Sequence, residues 1–271
     1  MIELLEPVLG APVSLEELKH KPGRRTTYRA TGAARSAIVK VYVSDRAPTV
    51  AARVGALAAG PAEPEVPEVL LCDPERHLIV LSEVPGVPLR HALLDDDAAT
   101  CRRAGATLGA WHQAWTGAGP SPLVPHTVER ELEILDGRAG RTSAPISEAV
   151  RARLPAFADG VWPATTVVHR DLYEEQILVG DRIGLIDLDD AALGPPELDV
   201  GNLLGHIDLL GLRAGRDLST PTHTLIEAYG SAGPELDPAL LERCRSLTLL
   251  RLACIHANPE LLDLVASRSA V

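Results

Sequence analysis

The chain separates its secondary-structure signals by position, and that separation restricts the folds open to it. Residues 25–31 and 36–43 are short β-prone runs joined by a glycine-containing turn, the spacing of a hairpin. Residues 68–72 and 77–81 predict two further strands, and residues 15–20 fit either a strand or a helical turn. In Lys21-Pro22-Gly23-Arg24 the proline presets one torsion and the glycine accepts the left-handed one, so a tight turn is expected. The Ala-rich stretch 47–59 predicts a helix that Pro61, Pro64 and Pro67 close off. Beyond the breaker Pro85-Gly86 the pattern becomes helical. Asp95-Asp96-Asp97 precede an amphipathic run to Trp115, and capping with dipole complementarity accounts for that acidic triplet without a metal. Further helices are expected over 128–137, 146–158, 197–212, 222–229 and 238–256. Residues 165–192 read as a loop carrying two short apolar runs, 177–179 and 183–186. A β-rich first third before a helical remainder predicts an α+β protein of two lobes, 1–84 and 85–271, divided near residues 82–88.

Composition excludes several alternatives. With 271 residues, 46% of them hydrophobic and 23% charged, the chain can bury a core, so disordered and disulfide-stapled classes drop out. A net charge of −11 argues against a nucleic-acid partner, which needs a basic face. Cys72, Cys101, Cys244 and Cys254 stand far apart with no CxxC pair, pointing to free thiols rather than a zinc site. The start Met1-Ile2-Glu3 lacks the basic-then-apolar order of a signal peptide. No apolar run reaches the ~18 residues that a membrane span requires. A soluble, cytoplasmic protein without a membrane partner is expected. The 26 basic residues include only three lysines, Lys19, Lys21 and Lys40, so a lysine is a marked choice in a chain that otherwise uses arginine.

The chemistry concentrates in His169-Arg170-Asp171, Gln176-Ile177-Leu178 and Ile186-Asp187-Leu188-Asp189-Asp190. An Asp, an amide five residues on and a second Asp after a short hairpin can converge on one point. Such a set supplies a carboxylate to orient a hydroxyl and oxygen ligands for Mg²⁺ on nucleotide phosphates. A lone His-x-Asp is usually a surface loop. The three groups in register, flanked by short apolar strands, are far more selective. Asp189 and Asp190 fit solvated turn residues better than ligands.

These residues resemble the aminoglycoside phosphotransferase family of the protein-kinase-like superfamily, whose pattern is His-Gly/Arg-Asp, then Asn-Ile-Leu, then Ile-Asp. The likeness is strongest over 165–205. Leu108-Gly109-Ala110-Trp111-His112 resembles the family's first long C-lobe helix. The resemblance implies a protein-kinase-like two-lobed fold, with a small antiparallel-sheet N-lobe and a larger, mostly helical C-lobe. It implies Asp171 as catalytic base, Gln176 and Asp187 as metal ligands, and Asp199 as a buried brace of the catalytic loop. Lys40, inside the apolar run 37–43, falls where the superfamily keeps its phosphate-binding lysine; a solvent-facing strand lysine is the plainer alternative. Lys21, Arg24 and Arg25 flank the turn that would cover the phosphates, with an exposed basic turn as the equal alternative, and Ser82, Glu83 and Val84 fall in the interlobe hinge that would meet the adenine. The cofactors implied are ATP, or another NTP, and Mg²⁺.

Two departures stand out. Residues 47–59 hold no acid to pair with Lys40, leaving Asp45, Glu63, Glu65 or Asp187 as substitutes, and Gln176 replaces the usual Asn. The short interval from Asp187 to Asp199 leaves no room for a peptide-docking activation segment, so a small-molecule hydroxyl acceptor is favoured over a protein. Tyr173, Glu174, Glu175 and Glu197 are the candidate acceptor contacts. Their acidity suits a cationic acceptor such as an aminoglycoside or amino sugar, although a solvated acidic surface explains it as well. An inactive nucleotide-binding regulator on the same scaffold is the alternative, resting on the missing helix acid.

Overall fold

Short β-prone runs, most of them carrying Val, Ile or Thr, build much of the first third of the chain. The computed structural model describes residues 1–268. In chain order the elements are α1 Ile2–Leu9, β1 Ser14–Lys21, β2 Arg25–Thr31, β3 Ser36–Tyr42, α2 Ala47–Ala58, β4 Val69–Asp73 and β5 Leu78–Ser82. There follow β6 Val87–Pro88, α3 Arg90–Leu94, α4 Ala98–Ala114, α5 Val128–Ala139, α6 Ala144–Arg151, β7 Thr166–Val168, β8 Ile177–Val179, β9 Ile183–Leu185 and β10 Ala192–Gly194. The chain ends with α7 Pro196–Ala214, α8 Ser219–Ala232, α9 Pro238–His256 and α10 Glu260–Arg268. These form two compact units. The first comprises Met1–Gly86, Pro120–Pro122 and Gly180–Asp189; the second comprises Val87–Gly119, Leu123–Val179 and Asp190–Val271.

The first unit is a five-stranded antiparallel sheet ordered β1-β2-β3-β5-β4. The expected turn closes β1 onto β2, with the Arg24 N–H donating to the Lys21 carbonyl (3.0 Å) and Gly23 at φ +67°. Central strand β3 sets Lys40 opposite Thr27 on one side and Ile79 on the other. Because side chains alternate across a strand, Ala37 and Val39 share one face while Lys40 and Tyr42 share the other. The first face joins Leu5 and Leu9 of α1 with Ala30, Leu78 and Val80 in a buried cluster. Residues 180–189 belong to this unit through a parallel bridge from Glu65 to Gly184, so Asp187 is grouped with Lys40.

The second unit is helical, with β7 paired to β10 and β6 paired to β8 as short antiparallel ladders. Asp97 caps α4 by accepting from the Thr100 N–H (3.1 Å), the role expected of the acidic triplet. Its core joins Leu135, Val150, Leu198, Leu209, Leu249 and Leu250 with neighbours from α5, α6, α7, α9 and α10. Helices α4 and α8 pack backbone to backbone. A Cβ on Gly109 would stand 2.5 Å from the Tyr229 carbonyl oxygen, and one on Gly105 would collide with the Leu225 carbonyl.

The helix expected over 146–158 stops at Arg151 and resumes as a 3-10 turn, Leu154–Phe157, because Pro155 has no N–H to donate to the Arg151 carbonyl four residues back and its ring crowds that carbonyl. Elements α1, β6, α3, β7, β10 and α10 lie outside the expected set. Residues 15–20 resolve as strand. All four cysteines are free thiols. Among the described residues no helix is long and apolar enough to cross a membrane.

Candidate active site

In the first unit the charge of Lys40 is held inside the protein. Lys40, only 5% exposed, donates to Asp187 Oδ1 (2.7 Å) and Asp189 Oδ1 (2.5 Å). Arg25, the first residue of β2, bonds both oxygens of Asp187 (2.9 and 2.7 Å) and also Asp189 Oδ2. Two cations and two carboxylates thus neutralise one another in a partly buried cluster, the condition under which buried charge is tolerated. Burial works to raise the Asp187 carboxyl, but the charges of Lys40 and Arg25 hold it well below the usual carboxylate range. Tyr42, two residues from Lys40 and on its face of β3, donates its hydroxyl to Asp189 Oδ2 (2.7 Å). Burial, reinforced by Asp189, pushes that phenol up, so it stays a donor. Asp187 also occupies the left-handed region at φ +64°, a strained backbone of the kind kept where a side chain must be aimed.

Asp189 corrects the sequence expectation. It is 2% exposed rather than a solvated turn residue, because Lys40, Arg25 and Tyr42 converge on its carboxylate. Of the candidate partners for Lys40, Asp187 is in contact, whereas Asp45 is exposed and Glu63 faces Arg182 at 3.6 Å. Glu65 uses its backbone, pairing with Ile183 and Leu185. Among the other nucleotide-side residues, Lys21 ends β1 and Arg24 is exposed in the turn. Ser82 commits its N–H and hydroxyl to the Glu68 backbone (both 2.8 Å), Glu83 accepts from Arg29 (2.8 Å), and Val84 is buried.

In the second unit the loop around Asp171 is held by its backbone. Asp199, fully buried on α7, accepts from the His169 N–H (2.6 Å) and the Arg170 N–H (2.7 Å). One turn along the same face, Asn202 donates to the Leu172 carbonyl (2.6 Å) and accepts from Thr248 (3.1 Å) and Arg251. Behind them His112 bridges Asp199 (3.2 Å) and the Tyr229 hydroxyl (2.7 Å). Arg251 continues to Glu131 (3.3 Å), which also contacts His126 (2.9 Å). Burial opposes ionisation of Glu131, but His126 and Arg251 outweigh it and bring its carboxyl to about 2. Both amides and a carbonyl of the loop are therefore fixed, and Arg170 is held at φ +71°, a conformation that a β-carbon-bearing residue adopts only under constraint.

Gln176 is buried, its N–H bonded to the Tyr173 carbonyl (2.8 Å). Tyr173 stacks on His206 at a centroid distance of 4.6 Å. Glu175 pairs with Arg90 (2.8 Å). Glu174 is buried with Oε2 lacking a hydrogen-bond partner, and burial pushes its carboxyl up to about 7. Glu197 instead faces the head of α9, accepting from the Asp237 N–H (2.7 Å) in a cleft of about 840 Å³ walled by Trp162, Pro196, Pro238 and Leu240.

Sequence reasoning missed Tyr42, Arg53, Asn202 and His206. Tyr42 and Asn202 had signals, period-two alternation from Lys40 and helical spacing from Asp199. Arg53 and His206 had none.

The carboxylate of Asp187 in the first unit and the amide oxygen of Gln176 in the second are each of the donor type that a hard divalent ion such as Mg²⁺ takes, rather than the nitrogen and sulfur donors of zinc. Among the described residues no three or more His, Cys, Asp or Glu side chains form a cage.

Comparison with curated proteins gives no significant match. Solved structures do match along nearly the whole chain. Choline kinase LicA from Streptococcus pneumoniae superposes with a TM-score of 0.67 at 14% identity, covering 99% of this chain and 96% of that one. Aminoglycoside phosphotransferase APH(4)-Ia gives 0.63 at 17% identity, with 98% and 94% covered. Amicoumacin kinase hAmiN, in complex with AMP-PNP, Ca²⁺ and Ami, gives 0.65 at 15% identity, with 94% and 86% covered. The fold is therefore the protein-kinase-like one that the resemblance implied. Residues 17–239 match the family model described as Phosphotransferase enzyme family, and on that match the chain belongs to this family of phosphotransferases.

Proposed function

We propose that the chain is an ATP·Mg²⁺-dependent O-phosphotransferase that moves the γ-phosphoryl group to a hydroxyl of an aminoglycoside, amino sugar or related small molecule. The observation that carries this reading is the presence of two prepared elements, one in each unit. One is a buried lysine flanked by carboxylates; the other is Asp171 on a loop whose backbone is held by Asp199 and Asn202. Support for nucleotide and divalent-metal use comes from hAmiN, crystallised with AMP-PNP and Ca²⁺.

In this reading Lys40 contacts the α/β-phosphates as a point charge, with Lys21, Arg24 and Arg25 adding positive charge from the turn and the start of β2. The hinge residues Ser82, Glu83 and Val84 lie toward the adenine. Asp187 and Gln176 would hold the Mg²⁺, which when bound would supply charge neutralisation for the phosphates. Asp171 accepts the hydrogen bond of the acceptor hydroxyl, orients its lone pair and takes the proton. The acceptor oxygen forms the new bond to phosphorus as the bond to the bridging oxygen breaks, and ADP leaves. Tyr173, Glu174 and Glu175 follow Asp171 directly and are the nearest acceptor contacts by sequence; Glu197 is the fourth.

The inactive-regulator alternative rested on the missing acid of the N-lobe helix, which α2 does lack. Lys40 nevertheless contacts two carboxylates, Asp187 and Asp189, so the lysine is not left without an acid. A small-molecule acceptor accords with the interval 187–199, filled by a 3-10 turn (Leu188–Asp190), β10 and the start of α7.

The test is ADP release from ATP·Mg²⁺ across a panel of sugars, amino sugars, amino alcohols and aminoglycosides, with Asp171→Asn as control. An acceptor that raises turnover in the wild type and not in the variant supports the reading. No stimulation above the control by any acceptor overturns it.

A further inference from the structure

We propose that Asp189 is the positioning carboxylate for Lys40, replacing the acid that helix α2 lacks. This inference rests on the reading of Lys40 as the phosphate-binding lysine.

Asp187 and Asp189 both touch Lys40, but they are held differently. The Asp187 carboxylate meets two cations, Lys40 and Arg25, and is the proposed ligand of the divalent ion. Asp189 is fixed from several sides. Its Oδ1 accepts from Lys40 (2.5 Å), and its Oδ2 accepts from the Tyr42 hydroxyl (2.7 Å) and from Arg25. Its backbone carbonyl accepts from Arg53 of α2 (2.9 Å) and from Arg46 at the head of that helix (3.3 Å). With both carboxylate oxygens and the carbonyl bonded, and the residue 2% exposed, the carboxylate has little freedom to turn away.

Helix α2 has no acidic residue, yet it is connected to the lysine. Arg53 grips the Asp189 backbone, and the Asp189 side chain grips Lys40. The polarity is reversed: the helix contributes a cation and the segment after β9 contributes the acid. Tyr42 reinforces the arrangement from the lysine's own strand face. In this division of roles Asp187 would serve the metal while Asp189 keeps the ammonium aimed.

The test is the affinity of the full chain for ATP·Mg²⁺ and for adenosine, measured by calorimetry for Lys40→Ala, Asp189→Asn, Asp189→Glu, Tyr42→Phe and the Lys40→Ala/Asp189→Asn double variant. Loss of one charge-assisted hydrogen bond corresponds to about tenfold weaker binding. Asp189→Asn is expected to bind ATP about tenfold more weakly with adenosine affinity unchanged, and Asp189→Glu to regain part of that loss. The double variant is expected to be no weaker than Lys40→Ala alone, since both act on one contact. Tyr42→Phe, which leaves all charges in place, is expected to weaken ATP a few-fold and spares the test if Asp189→Asn does not fold.

Wild-type ATP affinity in Asp189→Asn or in Tyr42→Phe, alongside a loss in Lys40→Ala, overturns the proposal and leaves the reading of Lys40 intact. Equal losses of ATP and adenosine binding reduce Asp189 to a general structural role and also overturn it. Undiminished ATP binding by Lys40→Ala removes the reading itself, and the proposal with it.

Discussion

Replacing Glu174 by Gln isolates the contribution of one buried carboxyl to the pH dependence of stability. Glu174 is 8% exposed, and its Oε2 has no hydrogen-bond partner. Burial is the main force raising its carboxyl to about 7. Its own backbone hydrogen bond opposes the rise, Glu175 adds to it, and Arg90 and Arg213 offset it in part. In the unfolded chain a glutamate titrates near 4.5. Between those values the folded state binds more protons than the unfolded one, so stability falls as pH rises through the window and levels off above it. At about 1.4 kcal/mol per pKa unit the span corresponds to at most about 3 kcal/mol. Gln cannot ionise and lacks this decline. The unfolding free energy of Glu174→Gln minus that of the wild type should therefore grow by up to about 3 kcal/mol between pH 5 and 8. Urea titrations read by tryptophan fluorescence suit the purpose, because Trp111, Trp115 and Trp162 all lie in the second unit, as does Glu174. A difference that stays constant over that range refutes the assignment of a raised carboxyl.

Two more outcomes follow from packing and charge in the second unit. Gly105→Ala drives a methyl into the Leu225 carbonyl and should cost about 1–3 kcal/mol or more by urea denaturation, whereas Gly137→Ala, with open space around it, should not. Glu131→Gln leaves Arg251 without its carboxylate and should cost about 3–5 kcal/mol at neutral pH. In the wild type, the stability contributed by ionised Glu131 is present above about 4.5 and fades as pH falls toward 2, a decline the variant should lack in acid titrations.

The parts of the fold legible in the sequence are those with local causes. The β2–β3 hairpin shows in alternation and a turn glycine, α2 in alanine content and closing prolines, and α4 in its Asp97 cap. The short ladders β7 and β10 were hidden because three residues carry no period, and their pairing joins Thr166–Val168 to Ala192–Gly194 across the intervening loop. Helix α6 ended early because of Pro155, a local breaker that the apolar spacing masked.

The candidate site divides in the same way. Asp171, Gln176 and Asp187 were singled out by spacing and resemblance, and Lys40 by its place in an apolar strand of an arginine-rich chain; the roles given to them are proposals. Asp189 was misread because the groups that bury it, Arg25, Lys40 and Tyr42, lie more than 140 residues away in sequence. Whether a turn carboxylate is solvated or buried is decided by tertiary partners, and no local propensity encodes them.

The most direct measurement is transfer of the γ-phosphoryl label. ATP carrying an isotopic label in its γ-phosphoryl group is incubated with Mg²⁺, an acceptor identified by the panel, and either the wild type or Asp171→Asn, and the acceptor is analysed by mass spectrometry. The account predicts that the wild type moves the label onto an acceptor hydroxyl and that the variant does so about 10²–10⁴-fold more slowly, as expected for loss of a general base. Equal rates of labelled product from the two proteins would contradict it.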